Sequence, residues 1–254
     1  MRILAKSDVG KVREMNQDYF YASDINKDNL KLFILADGMG GYKGGEIASS
    51  LAVESSKNFI FNNYTKYKKD RAGILNLIGD SIEYANMLVY EKAQSSSDLV
   101  DMGTTIDVCI IFNNKVFIGH VGDSRVYRIR KNIIRKLTVD HSYVEKLLRE
   151  GTITKEEAYN HPKKNMLMKA IGCKNLVEPD LICKGFMKDD ILLMCSDGLT
   201  NMLRDSEIYN TLLKNPEHPE EALINQANQM GGLDNITTVI IDNIDVTNET
   251  KERG

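Results

Sequence analysis

Four aspartates of this chain lie at the ends of apolar segments that have the composition of buried β-strands. Asp37 occurs in LFILADGMGG, Asp123 in FIGHVGDSR and Asp197 in ILLMCSDGL, whereas Asp234 in GGLDNITTVII comes just before such a segment. A single Asp-Gly pair is most often a hairpin turn. Hairpins do not explain four such sites, two of which precede helix-like stretches. Because carboxylates beside glycines on a rigid scaffold suit a hard divalent cation, the sequence points first to a metal site.

Length and composition narrow the class of protein. The 254 residues are 42% hydrophobic and 27% charged, as expected for one folded globular domain that stays in the cytoplasm. A net charge of −3 with scattered basic residues argues against a nucleic-acid partner. No stretch predicts a membrane span or a signal peptide, and we expect a monomer. The cysteines lack metal-binding spacing, so oxygen ligands must hold any metal: Cys109, Cys173, Cys183 and Cys195.

Apolar runs rich in β-branched residues predict a largely antiparallel sheet structure. Asn113-Asn114 between two of these runs predicts a tight hairpin. Apolar residues at helical spacing predict two long helices, over about 46–62 and 72–94. The predicted strands are Ile3–Lys6, Leu32–Ala36, Thr104–Phe112, Lys115–Val121, Arg125–Ile129, Ile191–Cys195 and Ile236–Ile241.

The pattern changes to short capped helices over about 140–172. Ser142 with Glu145, and Thr154 with Glu157, have the spacing of capping boxes. We interpret this segment as a small helical flap, which either moves over a site or forms a static part of the surface. A later helix of about three turns is predicted to begin at Pro219. We expect one domain over 1–242, followed by a polar tail, 243–254, that frays.

A further polar cluster, Arg13-Glu-Met-Asn-Gln-Asp18, lies close to the N-terminus. The guanidinium of Arg13 offers a rigid fork of donors that matches two phosphate oxygens, and the Asp18 carboxylate could orient water on a metal. Taken alone, these two residues could equally form a surface ion pair of little energetic value. Together with the four aspartates, they suggest a phosphoester site.

Seven short motifs occur in one order: SDVGKVREMNQD, ADGMGG, MGTT, VGDSR, DHS, CSDGL and GGLDN. From about Lys6 to Ile241 the chain resembles the metal-dependent protein serine/threonine phosphatases of the PPM, or type 2C, family, in its bacterial branch. The resemblance implies an α+β fold, a four-layer α/β/β/α sandwich in which helices flank two antiparallel β-sheets. It also implies a metal cleft at one edge of the sandwich.

The resemblance assigns roles to the metal-site residues. It implies that Asp37 bridges two Mn²⁺ or Mg²⁺ ions and that the Gly38 carbonyl binds one of them. Asp197 and Asp234 bind the other ion, and Asp18 acts mainly through water. Asp123, with Asp197, would hold an optional third ion.

The same resemblance implies the reaction. Metal-activated water would attack the phosphorus of a phosphoserine or phosphothreonine directly, with Arg13 binding the non-bridging oxygens and no phosphoenzyme intermediate. Arg13 and Asp37 are thus the predicted catalytic residues. The expected partners are phosphorylated proteins, including a serine/threonine kinase.

The chain departs from animal members of the family at Met39, where they carry a histidine that is credited with protonating the leaving group. His141, in DHS, is a candidate substitute because imidazole titrates near neutral pH, but we favour a role in the flap or in capping the helix at Ser142. His120 lies in an apolar strand and is expected to be a bonded core or supporting residue. The general acid stays unassigned.

Two other functions remain open at this stage. The first is an enzyme that acts on small phosphoesters or on another phosphorylated residue, which only substrate recognition would distinguish. The second is a catalytically inactive member of the family that serves as a regulatory binding module. Such a module should have lost site residues, whereas Arg13, Asp18, Asp37 and the other predicted ligands are all present.

Overall fold

Two antiparallel sheets form the centre of the computed structural model, which describes residues 1–24 and 28–242. The first sheet has the strand order β1-β11-β10-β7-β8, and the second has the order β2-β3-β5-β6-β9 with β4 paired to β3. The predicted tail at 243–254 lies outside the described residues. The strands are β1 Arg2–Asp8, β2 Asp18–Ala22, β3 Lys31–Met39, β4 Gly103–Thr104, β5 Ile106–Phe112, β6 Lys115–Val121, β7 Arg125–Arg130, β8 Ile133–Lys136, β9 Asp180–Gly185, β10 Ile191–Cys195 and β11 Ile236–Asp242.

Helices cover the outer face of each sheet. Two long helices pack on the second sheet and two shorter ones, α6 and α7, on the first. None of the helices in the described part of the chain is long and apolar enough to cross a membrane. The helices are α1 Gly41–Asn63, α2 Arg71–Gln94, α3 Tyr143–Arg149, α4 Lys155–Tyr159, α5 Asp197–Thr200, α6 Asp205–Lys214 and α7 Pro219–Gln229, with short 3₁₀ helices at Tyr64–Lys66 and Ser97–Leu99.

Three apolar cores join these layers. Phe33 and Met194 belong to the core between the two sheets, and neither is accessible to solvent. Ile34, the next residue of β3, faces the other way and packs with Ile78 of α2. This alternation is the expected result of the two-residue period of a strand that is buried on both faces. The predicted α+β four-layer sandwich is therefore confirmed.

Turns and caps follow the sequence closely. Asn113 and Asn114 have φ angles of 48° and 56°, as a tight hairpin between β5 and β6 requires. The capping box at Thr154 is present. At Ser142 only half of the predicted box forms: the Ser142 hydroxyl accepts a bond from the Glu145 amide (3.3 Å), but the Glu145 carboxylate bonds Lys136 Nζ (3.3 Å) instead.

The sequence prediction missed the shorter elements. The edge strands β8 and β9 and the helices α5 and α6 were not predicted, and the predicted strand over Thr104–Phe112 is interrupted at Thr105. The flap lies between β8 and β9 and contains α3 and α4. It contributes no strand of its own to either sheet, in agreement with the prediction.

Candidate metal centre

A cleft of about 560 Å³ opens where the ends of both sheets meet. Asp37 and Gly38 reach it from β3, and Asp123 from the turn between β6 and β7. Asp197, the first residue of α5, and Asp234, just before β11, also line it. The four aspartates singled out in the sequence thus come together from both sheets at what we call the acidic cleft.

The backbone of Asp37 is held by the motif MGTT. The Asp37 amide donates to Thr105 Oγ1 (2.9 Å), and the Asp37 carbonyl accepts bonds from the Thr105 amide and the Thr104 hydroxyl (both 2.9 Å). Thr105 Oγ1 also bonds Ser124 Oγ (2.8 Å), beside Asp123. The two threonines therefore fix Asp37 and tie its strand to the next acidic turn. Sequence reasoning used the motif for recognition but gave its residues no role.

Gly38 occupies a position that admits no side chain. A Cβ atom there would lie 2.1 Å from the Gly45 carbonyl oxygen and 2.7 Å from that of Gln17. Because both neighbours are backbone atoms, they cannot move aside as a flexible side chain would. The glycine lets the start of α1 approach β3 closely while Gly38 still lines the cleft.

Asp18 lies beneath the acidic cleft. It pairs with Asp37 across β2 and β3, and its Oδ2 atom accepts bonds from Ser196 Oγ (2.7 Å) and Thr237 Oγ1 (2.6 Å). Its buried Oδ1 atom has no hydrogen-bond partner within residues 1–24 and 28–242. Burial, followed by the neighbouring charges, raises the pKa of Asp18 to about 7. Ser196 and Thr237, which hold it, were not predicted.

Arg13 lies on the loop between β1 and β2 and reaches the rim of the cleft. Its Nη2 atom donates to Asp234 Oδ2 at 2.8 Å, and its side chain is 51% exposed. The loop is held by Asn235, whose Nδ2 donates to the Val9 and Met15 carbonyl oxygens (both 2.9 Å). Asn235 is a further residue that the sequence reasoning missed, although it stands in the recognised motif GGLDN.

The carboxylates of the cleft are only partly compensated by basic side chains: Arg125 lowers the pKa of Asp123 and of Asp197, but other effects outweigh it. Burial and the neighbouring carboxylates raise the pKa of Asp37 and of Asp123 well above the ordinary value, and that of Asp197 to about 6. No basic side chain of the described residues hydrogen-bonds any of these three carboxylates. Incompletely compensated carboxylates around an open cleft, with an unpaired oxygen on Asp18 below, fit a divalent cation.

The carboxylates are not, however, drawn into a closed ligand shell. In the part of the chain that the structure describes, no three His, Cys, Asp or Glu side chains are arranged to hold a metal ion as they stand. Asp234 is instead paired with Arg13. The carboxylates of the described residues thus line one cleft without forming a ligand shell.

His141 lies behind the cleft rather than in it. Its Nδ1 atom accepts a bond from the Gly122 amide (3.1 Å), next to Asp123, and its Nε2 atom lies 3.3 Å from Asp180 Oδ1. Burial is the main reason why the pKa of His141 falls to about 4. The ring is therefore neutral near pH 7, with its proton on Nε2, and it holds the turn that presents Asp123.

His120 supports His141 from the interior. The two rings stack with their centroids 4.8 Å apart. His120 Nδ1 lies 2.7 Å from Asp107 Oδ1, its Nε2 lies 3.0 Å from the Val139 carbonyl oxygen, and both side chains are fully buried. Burial alone would lower the pKa of His120, but the Asp107 carboxylate outweighs it and raises the pKa.

Met39 and the flap complete the cleft. The thioether of Met39 lines the cleft and can donate no proton. Asn165 and Leu167 of the flap line it as well, so the flap borders the site. Met39 stands where animal members of the family carry the histidine. Neither it nor the two flap residues can act as a general acid in its place.

Comparison with known proteins agrees with this arrangement. Residues 11–227 match the model of the family described as protein phosphatase 2C. A serine/threonine phosphatase stp of Listeria welshimeri is 39% identical over 239 residues, which are 93% of this chain and 94% of that protein. The structure of the Streptococcus agalactiae serine/threonine phosphatase superposes with a TM-score of 0.84 at 38% identity and covers 94% of this chain and 98% of that one.

One structural relative contains metal. The catalytic domain of the serine threonine protein phosphatase PstP, in complex with two manganese ions, matches with a TM-score of 0.82 and 34% identity, over 96% of this chain and 98% of that one. This chain therefore belongs to the protein phosphatase 2C family. It is a bacterial member of that family, and the prediction of a divalent-metal-dependent protein serine/threonine phosphatase is confirmed.

Proposed function

We propose that this chain hydrolyses phosphoserine and phosphothreonine in proteins by direct attack of water on phosphorus in the acidic cleft. The observation that carries the proposal is the crowding of Asp37, Asp123 and Asp197 around an open cleft without a hydrogen-bonded basic partner in the described part of the chain. Two divalent cations, when bound, lower the pKa of water and offset the charge of the phosphate. The named relatives, which are serine/threonine phosphatases, support this substrate class.

Each ligand in the proposal comes from a separate element. In this proposal Asp37, which lines the cleft, would hold both ions, and the Gly38 carbonyl would bind one of them. Asp197 and Asp234 would bind the other. Asp18 is buried below and acts through water rather than by direct ligation, which its absence from the cleft lining supports. Carboxylate and carbonyl oxygens suit both Mn²⁺ and Mg²⁺.

Arg13 is the proposed phosphate-binding residue. Its side chain is half exposed at the rim and bonded to Asp234 (2.8 Å), so it can exchange one anion for another without a large movement of the backbone. If Asp234 held a cation, the guanidinium would lose this partner and could offer its donors to another anion. Phosphate oxygens match that fork of donors.

A third ion is proposed between Asp123 and Asp197, which lie on one wall of the cleft. The hydrogen bond from Gly122 to His141 and the bond between Ser124 and Thr105 hold the backbone on both sides of Asp123. We propose that His141 acts as a positioning residue for Asp123 and leave the general acid unassigned, because Met39 offers no proton.

Further proposals concern the setting of the enzyme. We propose that residues 1–242 form one catalytic domain, because both sheets contribute to a single core between them. The family resemblance supports a serine/threonine kinase as the enzyme that it opposes. The cytoplasmic location, the monomeric state and the lack of a nucleic-acid partner stay predictions. Because every proposed site residue is present, an inactive regulatory module is the weaker alternative.

The proposal is tested by assaying a phosphothreonine peptide with and without added Mn²⁺ or Mg²⁺. We expect activity that depends on the cation, is abolished by chelator, and exceeds the activity on phosphotyrosine peptides and nucleotides. In Asp234→Asn we expect a loss of at least about a hundredfold, since one ligand is neutralised. Folding is checked by circular dichroism.

Asp189→Asn is the matched control. Asp189 is exposed, does not line the cleft, and has a φ of 67°, which asparagine tolerates. Its activity should equal that of the unmodified enzyme. Full activity of Asp234→Asn, or equal activity with and without divalent cation, would contradict the proposal.

A further inference from the structure

A second cavity, of about 630 Å³, lies on the other side of Asp123 and Asp197. It is bounded by the flap helices α3 and α4 and by β7 and β8, and we call it the flap cavity. Both aspartates line the acidic cleft as well, so the two cavities share a wall. The basic residues that line it are Arg125, Arg135, Lys136, Arg149, Lys155 and Lys164.

Some of these basic residues are already paired within the cavity. Arg125 donates to Asp140 Oδ2 through Nε (2.9 Å) and Nη2 (2.7 Å). Lys136 bonds Asp140 Oδ1 (2.9 Å) and Glu145 (3.3 Å). The remaining acid of the cavity away from the shared wall, Asp205, accepts a bond from the Tyr127 hydroxyl (2.9 Å). These ion pairs are structural and leave the other bases without a carboxylate.

Among the described residues, four bases are therefore left without an ion-pair partner, although the lining acids Asp123, Asp197 and Asp205 offset part of their charge. Arg135, Arg149 and Lys155 are exposed, and no acidic side chain of residues 1–24 and 28–242 forms an ion pair with them. Lys164 lies over the Tyr159 ring, 5.5 Å from its centroid.

Arg135 is directly opposite Arg128 across β7 and β8, and Arg128 does not line the flap cavity but donates to the Gly185 carbonyl oxygen (2.8 Å). Because side chains alternate between the two faces of a strand, Arg135 lies on the other face of β8 from Ile134 and Lys136. The other three bases therefore supply the positive charge that an anion would meet.

The flap connects the two cavities along the chain. Lys164 lines the flap cavity, whereas Asn165, the next residue, lines the acidic cleft. A bound polypeptide advances about 3.3–3.6 Å per residue when extended. A peptide whose phosphorylated residue occupies the acidic cleft therefore brings a neighbouring side chain to the flap cavity.

We propose that the flap cavity binds an anionic side chain, a carboxylate or a second phosphate, that lies near the phosphorylated residue of the same substrate polypeptide. This inference rests on the proposed function and gives the enzyme a preference for acidic sequences on one side of the phosphorylated residue. The interaction involves exposed charges, so each is worth little alone and weakens with salt. Three bases together should change kcat/KM by about tenfold.

The experiment measures kcat/KM on phosphothreonine peptides that carry one Asp, or one Asn, at each of the three positions before and after the phosphothreonine. We expect the unmodified enzyme at low salt to favour Asp over Asn by about tenfold on one side only. In the triple variant Arg149→Gln/Lys155→Gln/Lys164→Gln, the ratio should fall to about one. Taking the ratio within each protein cancels any general change in activity.

The triple variant Lys68→Gln/Arg71→Gln/Lys184→Gln is the matched control, since it removes the same charge from exposed positions that do not line the flap cavity. It should keep the preference for Asp. Equal rates on Asp and Asn peptides in the unmodified enzyme, or a preference that survives in the first triple variant, would overturn the inference while the proposed function stands. No hydrolysis of any phosphopeptide would overturn the proposed function itself.

Discussion

Aspartates serve opposite purposes in the acidic cleft and in the interior of the same sandwich. In the interior, Asp107 is bonded to His120 and Asp190 to Arg130, and each carboxylate is almost inaccessible to solvent. In the cleft, Asp37 and Asp123 have no bond from a basic side chain of the described residues. Burial raises the pKa of these two carboxyl groups and also that of Asp107, so the bonded partner, and not the pKa, distinguishes the two regions. We infer that a carboxylate bonded to a basic side chain has a structural role. A carboxylate without such a partner is available to bind a metal ion that can be exchanged.

The largest effect that this comparison predicts is on catalysis in Asp37→Asn. The substitution keeps the size of the side chain but removes the negative charge that a cation would meet in the cleft. With saturating Mn²⁺, kcat/KM on a phosphothreonine peptide should fall at least about a thousandfold, equivalent to about 4 kcal/mol. A loss of less than tenfold in a folded protein would mean that Asp37 does not bridge the ions.

The next effect is on stability in Asp107→Asn, which breaks an interior pair. His120 is fully buried, so a protonated ring would lose its counter-charge. The free energy of unfolding should fall by about 3–5 kcal/mol, measured by urea denaturation in chelator. A change below about 1 kcal/mol would show that the pair is neutral and the interior carboxylate is not stabilised by charge.

A smaller loss of stability is expected when the pH falls and His141 takes up a proton. Its folded-state pKa of about 4 is below the ordinary 6.5, so the unfolded chain binds the proton more tightly. The contribution of His141 to stability is complete above pH 6.5 and is lost as the pH falls towards 4, by up to about 3 kcal/mol.

The control for this pH effect is His141→Asn, which can still accept a bond but does not titrate. The difference in unfolding free energy between the two proteins, measured in chelator, should narrow as the pH falls from 7 to 4. A difference that stays constant would rule out a neutral buried His141.

The smallest effect is the change in stability of Asp37→Asn, which should change sign when metal is added. In chelator, Asp37→Asn should raise the free energy of unfolding by about 1 kcal/mol, because it replaces a buried carboxyl group whose charged form is disfavoured by burial and by its acidic neighbours. With saturating Mn²⁺ the same variant should be the less stable protein, since it loses binding energy that the native state alone receives. Thermal unfolding in the two conditions tests this, and lower stability of the variant in chelator would contradict it.

Sequence reasoning predicted the parts of the fold that have strong apolar patterns. Runs such as Ile191–Cys195 are buried on both faces and were predicted to the residue, whereas the half-exposed edge strands β8 and β9 were missed. Burial on both faces leaves a continuous apolar signal, but an edge strand does not need one. The four-residue helix α5 is likewise too short for periodicity to reveal.

The site was predictable only in part for a related reason. The recurrence and order of the motifs singled out Arg13, Asp37 and the other acidic residues as candidates, because hairpin turns alone do not explain so many such sites. The residues that hold these side chains in place were not predicted. Thr237 and Ser196, for example, contact Asp18 only because of the register of β11 and β10. Hydroxyl and amide side chains have many uses, and only the pairing of strands distant in sequence gives these residues a role.

The position of β11 has a consequence for synthesis of the enzyme. This strand is the last of those described along the chain, yet it lies between β1 and β10 in the first sheet. Until residues 236–242 leave the ribosome, β1 has no partner in its sheet, and neither Asp234 nor Asn235 can close the loop that carries Arg13. A nascent chain can therefore form most of the second sheet while no phosphatase exists, so activity begins only when this part of synthesis is complete.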